Sequence, residues 1–400
     1  MSGVVVVGGG LAGLRSAESL RAAGYGGSIT VVGDEPHLPY SRPPLSKEAL
    51  KGGVHVENLE FRRKPGVADV DFRLDSPAVA SNLADGTVTL ADGTVIPFDG
   101  LVVSTGIRPR RLPIPGPAEG RTVLRTVEDS ARLRDRLAPG ARLLVMGAGF
   151  VGCEVAATAR ELGADVDVVA LDPQPMVRPL GPDLGAALRR RHEQHGVRFH
   201  MGHTVDAFNG DDAVRSVSLS DGTELAADVV VEAVGSVPNV HWLEGNGLDL
   251  SDGVLVDSAM QVAGTSAPVV AAGDIARYPL SLGGPTPRRI EHWNMPTETG
   301  RRAGRTLAAL LAGDAVDREP FAAMPSFWSD QYDIALQSFG LPDLATEVRV
   351  VDGDLDGNAV VEYLDDHGLV GVVGINRTRD LAPWRTRLMD RADKEWEPDA

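Results

Sequence analysis

Apolar and polar positions alternate in short blocks along the chain, and the blocks repeat. Residues 4–7 are four consecutive valines, the run expected of a strand buried on both faces of a parallel sheet. The spacing then predicts a helix over 14–23, ending at Gly24, and a second strand over 28–32. The same order returns as a strand at 142–146, a helix reaching Leu162 and a strand at 165–170. Segments 87–94 and 216–223 both read as hairpins turning at Asp-Gly-Thr, and 99–109 matches 228–238. These pairs share one displacement of 129 residues, whereas the glycine runs at Gly8 and Gly147 lie 139 apart, so an insertion separates the copies. The last block opens at Glu319-Pro320 and carries alternating strands near 348–351 and 370–373, with a polar end expected to fray.

Glycines give the repeats their chemistry. Gly8-Gly9-Gly10-Leu11-Ala12-Gly13 and Gly147-Ala148-Gly149-Phe150-Val151-Gly152 both follow G-x-G-x-x-G between strand and helix. The first glycine permits the tight turn, the second lets backbone approach a pyrophosphate, and the third lets the helix pack on the strand. Each second strand ends in acid, Asp34-Glu35 or Asp172, where a ribose hydroxyl would lie. Two such units imply two dinucleotides. The expected fold is α/β, with two Rossmann-like dinucleotide-binding domains and a C-terminal α/β domain.

Composition narrows the function. The chain has 400 residues, 43% hydrophobic and 24% charged, which excludes a disordered polymer. A net charge of −17 argues against nucleic acid or an anionic membrane as the main partner. The first residues carry no positive charge before their apolar run, and no apolar stretch approaches the ~18 residues of a membrane helix. A cytoplasmic, soluble protein is expected. The one cysteine, Cys153, excludes a disulfide framework, a cysteine-ligated cluster and an intrachain redox dithiol.

Five segments carry a resemblance. They are Arg42-Pro43-Pro44-Leu45-Ser46-Lys47, Leu124-Arg125-Thr126-Val127-Glu128-Asp129, Ala272-Gly273-Asp274, Glu291-His292-Trp293 and Phe327-Trp328-Ser329-Asp330-Gln331. With the two fingerprints, nearly the whole chain resembles the NADH-dependent flavoprotein ferredoxin reductases of bacterial oxygenase and haem monooxygenase systems. These are putidaredoxin reductase-like members of the glutathione-reductase-like superfamily. The resemblance implies FAD on the first fingerprint, with Gly8, Gly10, Ala12 and Gly13 at the pyrophosphate and Asp34 or Glu35 at the ribose, the family pattern pointing to Asp34. Arg42 and Lys47 would lie near the flavin, Ala78 beside the adenine, and Thr105, Gly106 and Arg125 along the cofactor. Asp274 would bind the ribityl chain and cap the helix facing the phosphates. Trp293 and Trp328 would approach the flavin and the partner surface.

The resemblance also implies NADH on the second fingerprint. Gly147, Gly149, Phe150, Val151 and Gly152 would flank its pyrophosphate, and Val234, Gly235 and Glu291 would line its site. Glu154 would face the nicotinamide and pair with Lys47 across the flavin. Asp172 would accept the ribose 2′-hydroxyl; a carboxylate there repels a 2′-phosphate, and no arginine occurs between Ala170 and Val177, which favours NADH over NADPH. The FAD domain is expected over 1–107 and 237–317, the NAD domain over 108–236, and the C-terminal domain over 318–400.

Hydride transfer needs aligned rings and excluded water more than an acid or base, so no classical catalytic residue is expected. The region where related reductases carry cysteines here reads Tyr40-Ser41-Arg42-Pro43-Pro44. Without a sulfur relay, electrons must pass from flavin directly to an external carrier, which the resemblance implies is a 2Fe–2S ferredoxin feeding a haem or non-haem oxygenase. Arg108, Arg110 and Arg111; Arg301, Arg302 and Arg305; and Arg377 with Arg379 are candidate docking clusters. Alternatives are a rubredoxin reductase, an NADH oxidase, or a non-catalytic flavoprotein of the apoptosis-inducing-factor type. His192, His195, His200 and His203 could suggest zinc, but helix and strand would have to converge, and no metal is expected.

Overall fold

The computed structural model describes residues 3–53 and 55–394. Its first sheet is built on the valine run. Gly3–Val7 pairs in parallel with Ile29–Val32 on one side and Val95–Val103 on the other. Asp71–Arg73 extends one edge, and Val269–Ala271 returns from far along the chain to pair with Leu101, Val102 and Val103. All four consecutive valines are buried, as a strand covered on both faces requires.

The second sheet repeats the plan. Arg142–Met146 lies between Asp165–Ala170 and Val229–Glu232, with Arg198–Met201 and Arg121–Thr122 at the edges, all parallel. The hairpin predicted at Asp-Gly-Thr is present in both copies. In the first copy the second hairpin strand runs on unbroken into the parallel sheet as Val95–Val103, whereas in the second it breaks into Glu224–Ala226 and Val229–Glu232. The chain crosses between the two sheets twice, and the crossings Ile107–Pro109 and Ser236–Pro238 pair antiparallel to one another.

Both fingerprint helices begin earlier than the apolar spacing suggested. Leu11–Ala22 starts directly after Gly10, and Phe150–Glu161 directly after Gly149, because each glycine turn feeds straight into the helix. The first helix is backed by Met295–Ala312. A side chain at Gly300 would meet the Ala12 carbonyl at 2.7 Å and one at Gly304 the Ser16 carbonyl at 2.5 Å, so these two positions set how closely the helices approach. Ser19 Oγ donates to the Arg301 carbonyl across that contact.

The C-terminal block is a five-stranded antiparallel sheet in the order Ser326–Gln331, Ile334–Gly340, Gly368–Ile375, Ala359–Asp365, Glu347–Gly353, followed by the helix Ala382–Lys394. The end expected to fray falls largely on residues 395–400, which lie outside the described residues. Among the described residues, no helix is long and apolar enough to cross a membrane.

Candidate functional site

The two fingerprints show the same division of labour among their glycines. Gly8 has φ +122°, and a Cβ there would sit 2.1 Å from the Ser104 carbonyl; Gly147 has φ +97° and meets the Ala233 carbonyl at 2.2 Å. A Cβ at Gly13 would lie 2.1 Å from the Gly8 carbonyl, and one at Gly152 would lie 2.1 Å from the Gly147 carbonyl. The fold itself demands these four. Gly10 and Gly149 are different: nothing lies within 4 Å of an added Cβ at either. Both helices also begin without a side-chain cap or an acid in the first turn, so their amide donors and positive dipole ends are unspent. A cradle that a Cβ would fill, in front of uncapped amides, fits a pyrophosphate.

In front of the first fingerprint lies a cavity of about 350 Å³. Gly8, Gly10, Ala12, Asp34, Glu35, Arg42, Lys47, Thr105, Gly106, Arg125, Asp274, Trp293 and Trp328 all line it, as do Phe150, Val151, Glu154 and Glu291 from the second group of expected residues. Gly13 and Ala78 are not in its lining. Gly147, Gly149, Gly152, Asp172, Val234 and Gly235 also lie outside it, around the second sheet. The cavity therefore belongs to the first unit, and the helix of the second unit closes one side of it.

Its polar wall is tied together by Arg42. Arg42 Nη2 donates to Glu35 Oε1 at 2.5 Å, and Arg42 Nη1 donates to the Tyr40 hydroxyl and the Arg125 carbonyl. Burial opposes the Arg42 charge, but Glu35 and Tyr40 outweigh it and raise its proton affinity. Glu35 is thus engaged with the protein, while Asp34 makes no side-chain hydrogen bond among the described residues. Arg125 stands 3.8 Å from Asp274, whose carboxyl is raised by burial against the pull of that arginine.

The helix-cap expectation for Asp274 is overturned. Asp274 sits in a turn that leads into the strand Ala276–Leu280, and the next helix starts only at Met295. The turn is instead held by Thr299 Oγ1, which accepts from the Gly273 amide.

Lys47 and Glu154 are in direct contact, Nζ to Oε2 2.7 Å, both nearly buried. The expectation that they pair across a ring is therefore corrected: no ring lies between them. Glu154 is also no first-turn helix charge exposed to water, since Ser46 and Ser329 donate to its two oxygens at 2.6 and 2.7 Å.

Aromatic residues form the opposite wall. Phe150 and Phe327 pack edge to face at 4.7 Å, as do His292 and Phe327 at 5.2 Å and Trp293 and Trp328 at 5.0 Å. Trp293 is 40% exposed, so it is a rim residue rather than a core tryptophan. Asn294 fixes the rim, accepting from the Ser326 amide and donating to the Met324 carbonyl. His292 Nδ1 is buried without a hydrogen-bond partner among the described residues, and burial lowers its pKa to about 4. An orphaned ring nitrogen in an aromatic and cationic cavity suits a heteroaromatic ring bearing hydrogen-bonding groups. FAD fits the residues present.

Sequence reasoning missed part of this wall. Phe61 carried no motif signal, and Tyr40, Ser46, His292 and Phe327 lay within quoted stretches but were not singled out. Arg178 was passed over by a single position: it hydrogen-bonds Asp172 at 3.3 Å. The expected electropositive cluster at Arg301, Arg302 and Arg305 loses its central member, since Arg302 is buried against Asp317 and the Glu319 carbonyl. Cys153 is fully buried, its thiol pushed up by burial, with its sulfur 3.5 Å from the Ala148 carbonyl. The four histidines make separate contacts: His192 with Gln331, His195 stacked on Tyr332, His200 with Asp167 and His203 with Asp221. Among the described residues no group of three or more His, Cys, Asp or Glu could hold a metal ion.

Comparison with known proteins agrees with this geometry. A family model described as pyridine nucleotide-disulphide oxidoreductase matches residues 2–300, and one described as reductase C-terminal matches 326–399. Rhodocoxin reductase of Rhodococcus erythropolis is 35% identical, covering 94% of this chain and 87% of its own. The ferredoxin reductase component of chlorobenzene dioxygenase from Cupriavidus sp. (strain PS12) is 36% identical over 95% of this chain and 90% of its own. The reductase in the crystal structure of the covalent putidaredoxin reductase–putidaredoxin complex superposes with a TM-score of 0.88 at 34% identity, covering 98% of this chain and 93% of that one. The chain belongs to the pyridine nucleotide-disulphide oxidoreductase family.

Proposed function

We propose that this protein is an FAD-dependent oxidoreductase that takes hydride from NADH and passes electrons singly to a 2Fe–2S ferredoxin serving an oxygenase. One observation carries the reading: a single cavity joins the first fingerprint to the helix of the second, and no dithiol stands beside it. The relatives' names support the acceptor, since several are ferredoxin reductase components of dioxygenase systems.

FAD supplies the exchange between a two-electron donor and one-electron acceptors. The chain's own residues bind and orient. Gly8, Gly10, Ala12 and the amides of the first helix hold the pyrophosphate; Asp34 takes the ribose; Arg42, Arg125 and Asp274 line the cofactor's length. Val151, Phe150 and Glu154 shape the side from which NADH arrives, while Gly149 and Asp172 hold its pyrophosphate and ribose. Trp293 and Trp328 form the rim toward the acceptor, with Arg108, Arg110 and Arg111 or Arg377 and Arg379 as docking charges. In balance, one NADH and two oxidised ferredoxins give NAD⁺, one proton and two reduced ferredoxins. This division of labour supports the boundaries 1–107 with 237–317, 108–236 and 318–400, in a cytoplasmic protein.

The test is direct. Purified protein should be yellow, should be bleached by NADH anaerobically, and should reduce cytochrome c only when a ferredoxin is added. Rapid reoxidation by air, unaffected by ferredoxin, would reassign it as an oxidase, and a colourless protein that rejects FAD would overturn the reading.

A further inference from the structure

Glu154 ends a longer chain than its contact with Lys47 suggests. Ser329 Oγ donates to Glu154 Oε1 at 2.7 Å, and Gln331 Nε2 donates to Ser329 Oγ at 2.9 Å. The Gln331 carbonyl oxygen can only accept, so His192, 2.7 Å away, must carry its proton on Nε2. Tyr332 lies beyond, its hydroxyl 3.5 Å from His192 Nδ1 and its ring stacked on His195 at 3.8 Å. Ser329, Gln331 and His192 are at most 2% exposed. Strand alternation puts Ser329 and Gln331 on the inward face of Ser326–Gln331 and Trp328 on the other.

Every donor in this chain points the same way, toward Glu154. An amide in the middle cannot relay a proton without leaving its amide form, so the chain is built to polarise and not to conduct. We infer that Ser329, Gln331 and His192 are positioning residues: a buried, one-way line of donors that fixes the Glu154 carboxylate and through it holds the Lys47 ammonium at the cavity wall. The line starts at His192 on the second nucleotide unit's helix Val177–Gln194, passes through Gln331 and Ser329 of the C-terminal strand Ser326–Gln331, and ends on Glu154, where the helix Phe150–Glu161 lines the first unit's cavity. The inference rests on the reading of that cavity as the flavin site.

The charged and titratable neighbours are few. Lys47 and Cys153 face Glu154; His195 and Tyr332 face His192; Arg160 and Glu161 face Tyr332. Burial lowers the His192 pKa to about 4, which keeps the ring neutral and its direction fixed.

Two measurements test this. Nitrogen NMR of the FAD-loaded protein should show His192 neutral with its proton on Nε2 from about pH 5.5 to about pH 8; a proton on Nδ1, or a charged ring at neutral pH, overturns the chain's direction. The second measurement is the flavin midpoint potential of Ser329→Ala. Stripped of its Ser329 donor, the Glu154 carboxylate is no longer fixed at Oε1 and turns from Lys47, which leaves the Lys47 charge less compensated. The reduced-to-oxidised ratio should then rise about tenfold at fixed potential, ~30 mV for a two-electron couple. Ser329→Thr should restore the parent value, and the shift should vanish in a Glu154→Gln background. A Ser329→Ala protein with full flavin and an unchanged potential, or a shift that persists without the Glu154 carboxylate, refutes the inference. The imidazole measurement needs no variant, so it decides even if Ser329→Ala does not fold. A chain that binds no FAD would instead sink the functional reading and leave the imidazole result standing.

Discussion

The two nucleotide units share a plan and differ in enclosure. The first looks into a walled cavity, with Glu35, Arg42 and Tyr40 locked together on one side and Phe327, Trp293 and Trp328 on the other. The second faces the open: Leu171 is 68% exposed, and among the described residues Asp172 pairs only with a solvent-facing Arg178. On the function proposed, similar glycine geometry serves a resident cofactor in one copy and a passing one in the other. Retention is set by what is built around the fingerprint, because dissociation slows when a ligand is covered, while a substrate must leave on every cycle.

The largest effect should come from filling the two open cradles. Gly10→Val and Gly149→Val keep backbone angles that any residue adopts, and a Cβ at either meets nothing within 4 Å. Each obstructs only its own pyrophosphate. Gly10→Val should be purified nearly colourless. Gly149→Val should stay yellow, with a KM for NADH raised by at least about tenfold, the loss of a few hydrogen bonds. Flavin absorbance per protein and NADH kinetics check both, and loss of flavin from both variants would break the contrast.

A smaller effect is expected at the second strand's terminal acid. Asp172→Ala should raise the KM for NADH and narrow the preference over NADPH by about tenfold, the scale of one exposed charged contact. Arg178 then becomes an unpaired cation beside the ribose site, so Asp172→Ala with Arg178→Ala should lose part of the gain toward NADPH. Steady-state kinetics with both coenzymes measure it.

How far the sequence disclosed this depends on how local each requirement is. The fingerprints were legible because each glycine answers to atoms a few residues away, as Gly13 does to the Gly8 carbonyl. The return of residues 269–271 to the first sheet was legible through Asp274, yet the turn that replaces the expected helix cap was not, since it is held by Thr299 from a distant helix. Lys47 and Glu154 could be named together only through resemblance. Ser329, Gln331 and His192 left no trace as a group, because His192 comes from a stretch far from the strand that holds the other two, and none breaks the pattern of its own element. Burial brings them together, and burial between elements has no local signature.

The smallest effect separates the units at their edges. In the first sheet the outer pairing sets Thr30 against Asp71 and Val31 against Phe72, and the inner strand Ile29–Val32 brings no charged side chain to it. In the second, Asp167 lies at the corresponding seam and takes Arg198 on both oxygens and His200 on one. Burial would raise the Asp167 carboxyl, but those two partners outweigh it and hold it below the usual carboxylate range. A depressed folded value means the stabilisation is complete above the unfolded pKa, about 3.9, and is lost as pH falls through the folded one. Asp167→Asn should therefore lower stability by about 1 kcal/mol at pH 7, with the gap from the parent closing as the solution is acidified below about pH 4. Thermal unfolding at both pH values reads it. A gap that stays constant into acid would mean that the seam is held by packing alone, as in the first unit, and that the two edges do not differ in kind.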